Sequence, residues 1–180
     1  MKDIIRGIQQ QMDSFLEEVK IYPCYPKIEE KMTEAIKRID YPFKDISFLM
    51  LAFCRVKIEI QESGKNNATY RNDTLAQIGD AVLDLILTEQ SFSQGKGKKE
   101  IDDRRQTMAK NEHLFSISKS KDLKQFCYHK KYFYGDAPQE DRVSAGNHDS
   151  IVEAIIGAIY FDGGLDQARE WVLKTVLNQN

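Results

Sequence analysis

Leu75-Ala76-Gln77-Ile78-Gly79-Asp80-Ala81-Val82-Leu83 is apolar almost all round and carries one carboxylate. A second stretch, Ile151-Val152-Glu153-Ala154-Ile155-Ile156-Gly157-Ala158-Ile159, has the same make-up. Helices of this kind are expected at the centre of a core. A carboxylate is not, unless it is paired or binds a metal. Each acid has a glycine close by, Gly79 and Gly157. Glycine inside a helix costs roughly 1 kcal/mol against alanine, and close approach of two helices is one reason to keep it. If the glycines let the helices touch, Asp80 and Glu153 face each other. Two like charges ~4 Å apart repel by about 4 kcal/mol at an effective dielectric near 20. Either one acid is protonated or a cation sits between them, and hard oxygen ligands suit Mg²⁺ or Mn²⁺.

Helical rotation of ~100° per residue places Asp80 about 20° to one side of Asp73 and Asp84 about 20° to the other, so all three share one acidic face. On the second helix Asp149 and Ser150 lie within about 60° of Glu153. These oxygen-bearing side chains are therefore expected to converge, with Asp80 and Glu153 the deepest. Other readings stay open. Asp73 and Asp84 also suit a solvated helix face, Asp149 suits a helix N-terminus through the dipole, and a lysine or backbone N–H would also satisfy Asp80 and Glu153.

Outward from these segments the pattern is helical. Ile4, Ile5, Ile8, Met12, Phe15, Leu16 and Val19 predict an amphipathic helix over 3–20, broken by Tyr22-Pro23-Cys24-Tyr25-Pro26. Ile28, Met32 and Ile36 mark a second helix, ended near Tyr41-Pro42, and 44–54 suits a short buried one. Val56, Ile58 and Ile60 alternate like a strand, and Ser63–Asn67 reads as a loop. A long helix spans about 70–90, a polar loop 91–99, and one helix 101–119 with Met108, Leu114, Phe115 and Ile117 on its apolar side. Residues 127–146 read as irregular. An apolar helix over 148–161 is stopped by Gly163-Gly164, and an amphipathic helix closes the chain at 165–178. The expected class is all-α, with an N-terminal arm over 1–26 and one domain over 27–180.

Composition narrows the function. Net charge is −2, so nucleic acid would be held by a local patch and not by the whole surface. Cys24, Cys54 and Cys127 have no CxxC spacing, which argues against a disulfide framework or structural zinc. The charged, discontinuous N-terminus reads as neither a signal peptide nor a membrane span, so a cytoplasmic protein with reduced thiols is expected. Gly95-Lys96-Gly97 is no phosphate-binding loop, and no nucleotide cofactor is expected. His113, His129 and His148 lack paired spacing, which leaves a histidine-based metallophosphohydrolase around His148-Asp149 poorly supported.

Four segments together resemble the ribonuclease III family. Its signature, Asn-Glu-Arg-Leu-Glu-Phe-Leu-Gly-Asp-Ala-Val-Leu, is similar to Asn72-Asp73-Thr74-Leu75-Ala76-Gln77-Ile78-Gly79-Asp80-Ala81-Val82-Leu83. Its second acidic stretch, Asp-x-x-Glu-Ala-Leu-Ile-Gly-Ala-Ile-Tyr-Leu-Asp-Gly-Gly, is similar to residues 150–164. Ile39–Asp45 resembles Leu-Gly-Tyr-x-Phe-Lys-Asp, and Lys110–Leu114 resembles Val-x-Asn-Glu-x-Leu. The resemblance spans about 30–178. It implies a helical endonuclease domain with an extra N-terminal helix. It also implies a homodimer and Mg²⁺-dependent cleavage of double-stranded RNA in RNA processing. By the same resemblance Asp80 and Glu153 are catalytic metal ligands and Asp73 assists. Glu100 corresponds to a further acid, while Asp149 and Ser150 stand at or beside a ligand position.

The departures matter. Ala76 stands where the family has a glutamate and Ser150 where it has an aspartate, as in the compact Mini-III branch. Gln77 replaces a Phe that packs across the family's dimer. The family's C-terminal double-stranded-RNA-binding domain has no counterpart here, so RNA would be held by the nuclease domain or a partner. Lys96, Lys98, Lys99, Arg104, Arg105 and Lys110, with His129, Lys130 and Lys131, are the candidate phosphate contacts. A solvated surface is the plain alternative for each. The rival to an enzyme is a scaffold of this family that binds double-stranded RNA, or the ribosome, without cutting.

Overall fold

Apolar spacing decides most of the architecture. The computed structural model describes residues 2–23, 25–55, 57–60, 68–128 and 150–178. In chain order these form α1 (Lys2–Lys20), α2 (Tyr25–Ile39), α3 (Ile46–Ala52), β1 (Ile58–Ile60), β2 (Ala68–Tyr70), α4 (Asn72–Ser93), α5 (Lys98–Met108) and α6 (Asn111–Ser120). A 3₁₀ turn (Leu123–Phe126) follows, and then α7 (Ile151–Thr175). The expected all-α class is what is found.

From Ile151 to Ile159, α7 is buried on every side except at Glu153, so it is the axis of the core. α4 packs along it in the most extensive helix pairing among the described residues, and α3 and α6 cover other faces. The amphipathic α1 lies on α3 and β1 and adds Met12, Phe15 and Val19 to the same buried cluster. Two large buried side chains find polar partners at the edges of this core: the Trp171 indole N–H donates to the Ile39 carbonyl (2.8 Å), and the Tyr128 hydroxyl donates to the Met50 carbonyl (2.7 Å).

Two of the sequence segments turn out to be one device. The Asp162 carboxylate accepts from the Tyr41 hydroxyl (2.8 Å) and from the backbone N–H groups of Lys44 (3.0 Å) and Asp45 (2.8 Å). It ties the Tyr41–Asp45 turn to α7, and Asp45 in turn caps α3 through the Ser47 N–H. Gly163 is needed beside it, because a Cβ there would lie 2.3 Å from the Tyr41 hydroxyl oxygen.

Two expectations hold and one changes. The strand reading holds over Ile58–Ile60, and its partner is Ala68–Tyr70, in antiparallel register Ile58 with Tyr70. The single helix expected over 101–119 is two. Ala109 leaves the helical path (φ −87°, ψ 3°) and Lys110 is extended (φ −62°, ψ 135°), so the Lys110 carbonyl starts a new helix by accepting from the His113 and Leu114 N–H groups. α5 buries no residue fully, whereas α6 buries Leu114 and Ile117, so each piece follows its own surface. At Gly163-Gly164 the expected break is found: Gly164 (φ 84°, ψ 179°) leaves the helical path, so α7 is two helical segments joined across a kink, the second running to Thr175. Most of the irregular stretch expected over 127–146, and the start of the helix expected from 148, lie outside the described residues.

Candidate functional site

α4 and α7 touch backbone to backbone. A Cβ built on Gly79 would lie 1.7 Å from the Glu153 carbonyl oxygen, and one built on Gly157 would lie 2.3 Å from the Leu75 carbonyl oxygen. Only glycine at both positions permits this crossing. Asp80 follows Gly79 in the chain, and Glu153 supplies the carbonyl that Gly79 meets. The two acids therefore flank one crossing point, as the glycine spacing leads one to expect.

Their depth differs from expectation. Glu153 is half-buried, but Asp80 is exposed, because α4 is not a central helix. Its Gly79 side faces α7, while Ile78, Leu85 and Phe92 point outward and leave Asp80 on the solvent flank. The Asp80 carboxyl is still held above the ordinary carboxylate range. Partial loss of water raises it most, the Asp84 charge raises it further, and Arg105 opposes both.

The acidic stripe is found, with its members differently engaged. Asp73 is exposed and 3.6 Å from the Arg71 guanidinium. Asp84 is held by Arg105 through both guanidinium nitrogens that face it, Nε at 3.1 Å and Nη2 closer. Glu100 caps its own helix: its carboxylate accepts from the Gly97 N–H (3.0 Å) and the Lys96 ammonium (3.1 Å), and these hold its pKa down, the backbone bond most. Ser150 precedes α7, and its hydroxyl accepts from the buried Asn72 amide (3.2 Å). Ala76 is buried one turn before Asp80. Asp149 lies outside the described residues.

Among the described residues no set of three or more His, Cys, Asp or Glu side chains is gathered closely enough to hold a metal ion. A hard divalent ion that keeps most of its waters needs only one or two protein carboxylates, and Asp80 and Glu153 are the acids that stand beside the crossing.

The cationic candidates sort by partner. Arg104 donates to Gln94 and Gln90 (2.8 Å each) and Arg105 to Asp84, so both brace α5 against α4. Lys96 is engaged by Glu100. Lys98 and Lys99 open α5 on an exposed face with no charge partner among the described residues, and Lys110 is exposed before α6. His129, Lys130 and Lys131 lie outside the described residues.

Sequence reasoning missed two parts of this site. Asn72 is fully buried and joins the start of α4 to the start of α7; its place in the acidic segment was the available signal. The Arg105–Asp84 brace spans 21 residues, with nothing local to announce it.

Comparison with known proteins agrees with the geometry. Residues 60–180 match the family model described as Ribonuclease-III-like. The chain is similar to Ribonuclease 3 of Clostridium tetani, 31% identical over 143 residues, covering 78% of this chain and 58% of that protein. It is also similar to Ribonuclease 3 of Sulfurovum sp., 31% identical over 140 residues, covering 77% and 58%. The chain thus spans somewhat over half the length of these relatives. Among solved structures it is similar to the nuclease domain of ribonuclease III from Campylobacter jejuni, with TM-score 0.62, 25% identity, and coverage of 83% of this chain and 96% of that one. That domain is described as flexible in a region involved in dimer formation. Among the described residues no helix is long and apolar enough to cross a membrane.

Proposed function

Because this chain belongs to the Ribonuclease-III-like family, we propose that it is a metal-dependent endoribonuclease that hydrolyses phosphodiester bonds of double-stranded RNA. The observation that supports the reading is the glycine-made crossing of α4 and α7, beside which Asp80 and Glu153 stand in the chain. A helix pair evolved for packing alone has no need of acids there.

Asp80 and Glu153 are the residues that would hold Mg²⁺ or Mn²⁺, with Asp73, Asp149 and Ser150 completing its water shell and Glu100 at the margin. When bound, such an ion lowers the pKa of a water and offsets charge on the in-line phosphorane. The protein's own part is to hold the two carboxylates in register. Gly79 and Gly157 set the separation of their helices, Asn72 fixes the start of α7 through Ser150, and Arg105 neutralises Asp84 so that one carboxylate fewer repels the scissile phosphate. Lys98 and Lys99, without a charge partner among the described residues, would make backbone contacts with A-form RNA, and Lys96, Arg104, Arg105, Lys130 and Lys131 extend the cationic surface proposed for it. The uncharged outer face of α4 supports a homodimer, which would carry two such sites, one for each strand. A cytoplasmic setting and a role in RNA processing fit this reading.

The test is incubation of purified protein with a labelled RNA duplex in Mg²⁺, Mn²⁺ or EDTA, resolved on a denaturing gel. Metal-dependent cutting that falls at least about 100-fold in Asp80→Asn is expected. Retention of the duplex without cutting in either metal would replace the enzyme by the binding scaffold, for which Ala76 and Ser150 would then be the reason.

A further inference from the structure

We infer that Arg105 is a built-in cation of the acidic stripe, a positioning residue whose guanidinium stands among Asp84, Asp102 and Asp80 and keeps the candidate site to one divalent ion; the inference deepens the metal reading above and rests on it. Asp80 and Asp84 lie four residues apart on α4, so their side chains are neighbours on one face. Arg105 reaches them from α5. Its Nε donates to Asp84 Oδ1 (3.1 Å) and its Nη2 to Asp84 Oδ2. Its third nitrogen, Nη1, stands 4.0 Å from Asp102 Oδ1. Asp80 feels the same charge: lost hydration and then Asp84 raise its carboxyl, and Arg105 works against both.

A guanidinium placed there takes up what a second ion needs. It is never deprotonated in a protein, so its charge is permanent. Its planar fork engages both oxygens of Asp84. Carboxylate oxygens are what a hard divalent cation takes, yet with Arg105 in place no three acids are gathered for an ion among the described residues. A second divalent ion must displace the guanidinium from Asp84 and then sit beside its positive charge, which Coulomb repulsion opposes. An ion held by Asp80 and Glu153 needs neither Asp84 nor that displacement.

Docking of α5 does not require this arginine to face acids. The preceding residue, Arg104, donates to two neutral amides, Gln94 Oε1 and Gln90 Oε1 (2.8 Å each), and these bonds hold α5 on α4. The two arginines therefore divide the work. Arg104 joins the helices, and Arg105 supplies charge beside three acids. Removing the Arg105 guanidinium leaves α5 attached through Arg104 and leaves Asp80, Asp84 and Asp102 without that cation.

The experiment counts Mn²⁺ bound per chain, by electron paramagnetic resonance of the free ion, in the full chain as wild type, Arg105→Gln, Arg105→Lys and Arg105→Gln/Asp84→Asn. Arg104 keeps α5 docked, so circular dichroism of each variant should match wild type. Wild type is expected to take one ion. Arg105→Gln should take a second, bound at least about tenfold tighter than any second ion in wild type. Arg105→Lys keeps the charge and should stay at one, and Arg105→Gln/Asp84→Asn should return to one. A brace with a purely structural role moves none of these counts. A wild type that already holds two ions, an Arg105→Gln that stays at one, or an Arg105→Lys that gains the second ion overturns the inference and leaves the metal-dependent reading standing. A wild type that binds no Mn²⁺ overturns both.

Discussion

Gly79 rests directly on the carbonyl of Glu153: no Cβ fits between them, since one would sit 1.7 Å from that oxygen. The obstructing atoms are backbone, which cannot swing aside. Gly79→Ala must therefore part α4 from α7, and an expected loss of about 3 kcal/mol follows from overpacking of this kind. Gly157→Ala should behave alike, with the Leu75 carbonyl at 2.3 Å. Gly7→Ala is the control, because nothing lies within 4 Å of its added carbon; removing a helix-interior glycine there should stabilise by roughly 0.5–1 kcal/mol. Urea denaturation of the three variants decides it, and equal midpoints would sink the claimed contact.

The Asp80 carboxyl supplies a pH signature. Its folded pKa is raised, chiefly by lost hydration and then by Asp84. An acid with a raised folded pKa binds more protons in the native state than in the unfolded one. Stability therefore falls as pH rises through the window from the ordinary carboxylate value to the raised one, and the penalty persists at neutral pH. Asp80→Asn should be at least as stable as wild type at pH 7 in EDTA, and should lose that advantage near pH 3. Melting temperatures of both proteins across pH 3–8 test it. A variant less stable than wild type at pH 7 would mean that Asp80 is held by a favourable partner.

Legibility followed the range of the signal. The glycine–acid spacing is local, and it led directly to the α4–α7 crossing and the two residues beside it. The outward turn of Ile78, Leu85 and Phe92 was not legible, because apolar side chains facing solvent look identical in sequence to apolar side chains facing a core. That is why Asp80 was expected deeper than it lies. The break at Lys110 was hidden for a similar reason: Met108, Leu114 and Ile117 keep helical spacing across it. Arg105 reads in sequence as a phosphate contact, and its bond to the remote Asp84 carboxylate is a further role that no local pattern announces; Glu100 likewise caps α5 through the Gly97 N–H besides standing at a candidate ligand position.

The Asp162 lock predicts a coupling. Asp162→Ala removes the acceptor of three hydrogen bonds and should cost about 3 kcal/mol. Gly163→Ala should be damaging in wild type, where the new carbon meets the Tyr41 hydroxyl at 2.3 Å. In a Tyr41→Phe background that shortest clash is gone, so the second substitution should cost less than it does alone. A double-mutant cycle by thermal denaturation measures the difference. Strict additivity would show that the two positions do not meet.

Basic residues with and without partners should part company in RNA binding. Lys98→Ala/Lys99→Ala is expected to weaken duplex binding and to reduce the salt slope by up to about 2, one per phosphate contact, with no change in melting temperature. Arg104→Ala removes the brace to Gln90 and Gln94 and should lower the melting temperature more than it alters the slope. Filter binding over a salt series separates these. A flat response to the lysine pair would move the RNA surface elsewhere.

Ala76 tests the metal reading without any cleavage assay. It is buried, and it lies four residues before Asp80, so its side chain is the neighbour of Asp80 on the same face. Ala76→Glu puts a further negative charge beside one whose carboxyl is already held high. In EDTA the variant should be clearly less stable than wild type, because a buried unpaired carboxylate costs more than the helix gains. If the α4–α7 crossing is a cation site, the third carboxylate tightens it. Saturating Mg²⁺ or Mn²⁺ should then raise the variant's melting temperature more than that of wild type; occupancy at 100 times Kd is worth about 2.7 kcal/mol. The rise should vanish in Ala76→Glu/Asp80→Asn. If metal leaves the melting temperature of Ala76→Glu where EDTA leaves it, the crossing does not gather a divalent ion, and Asp80 and Glu153 must be explained without one.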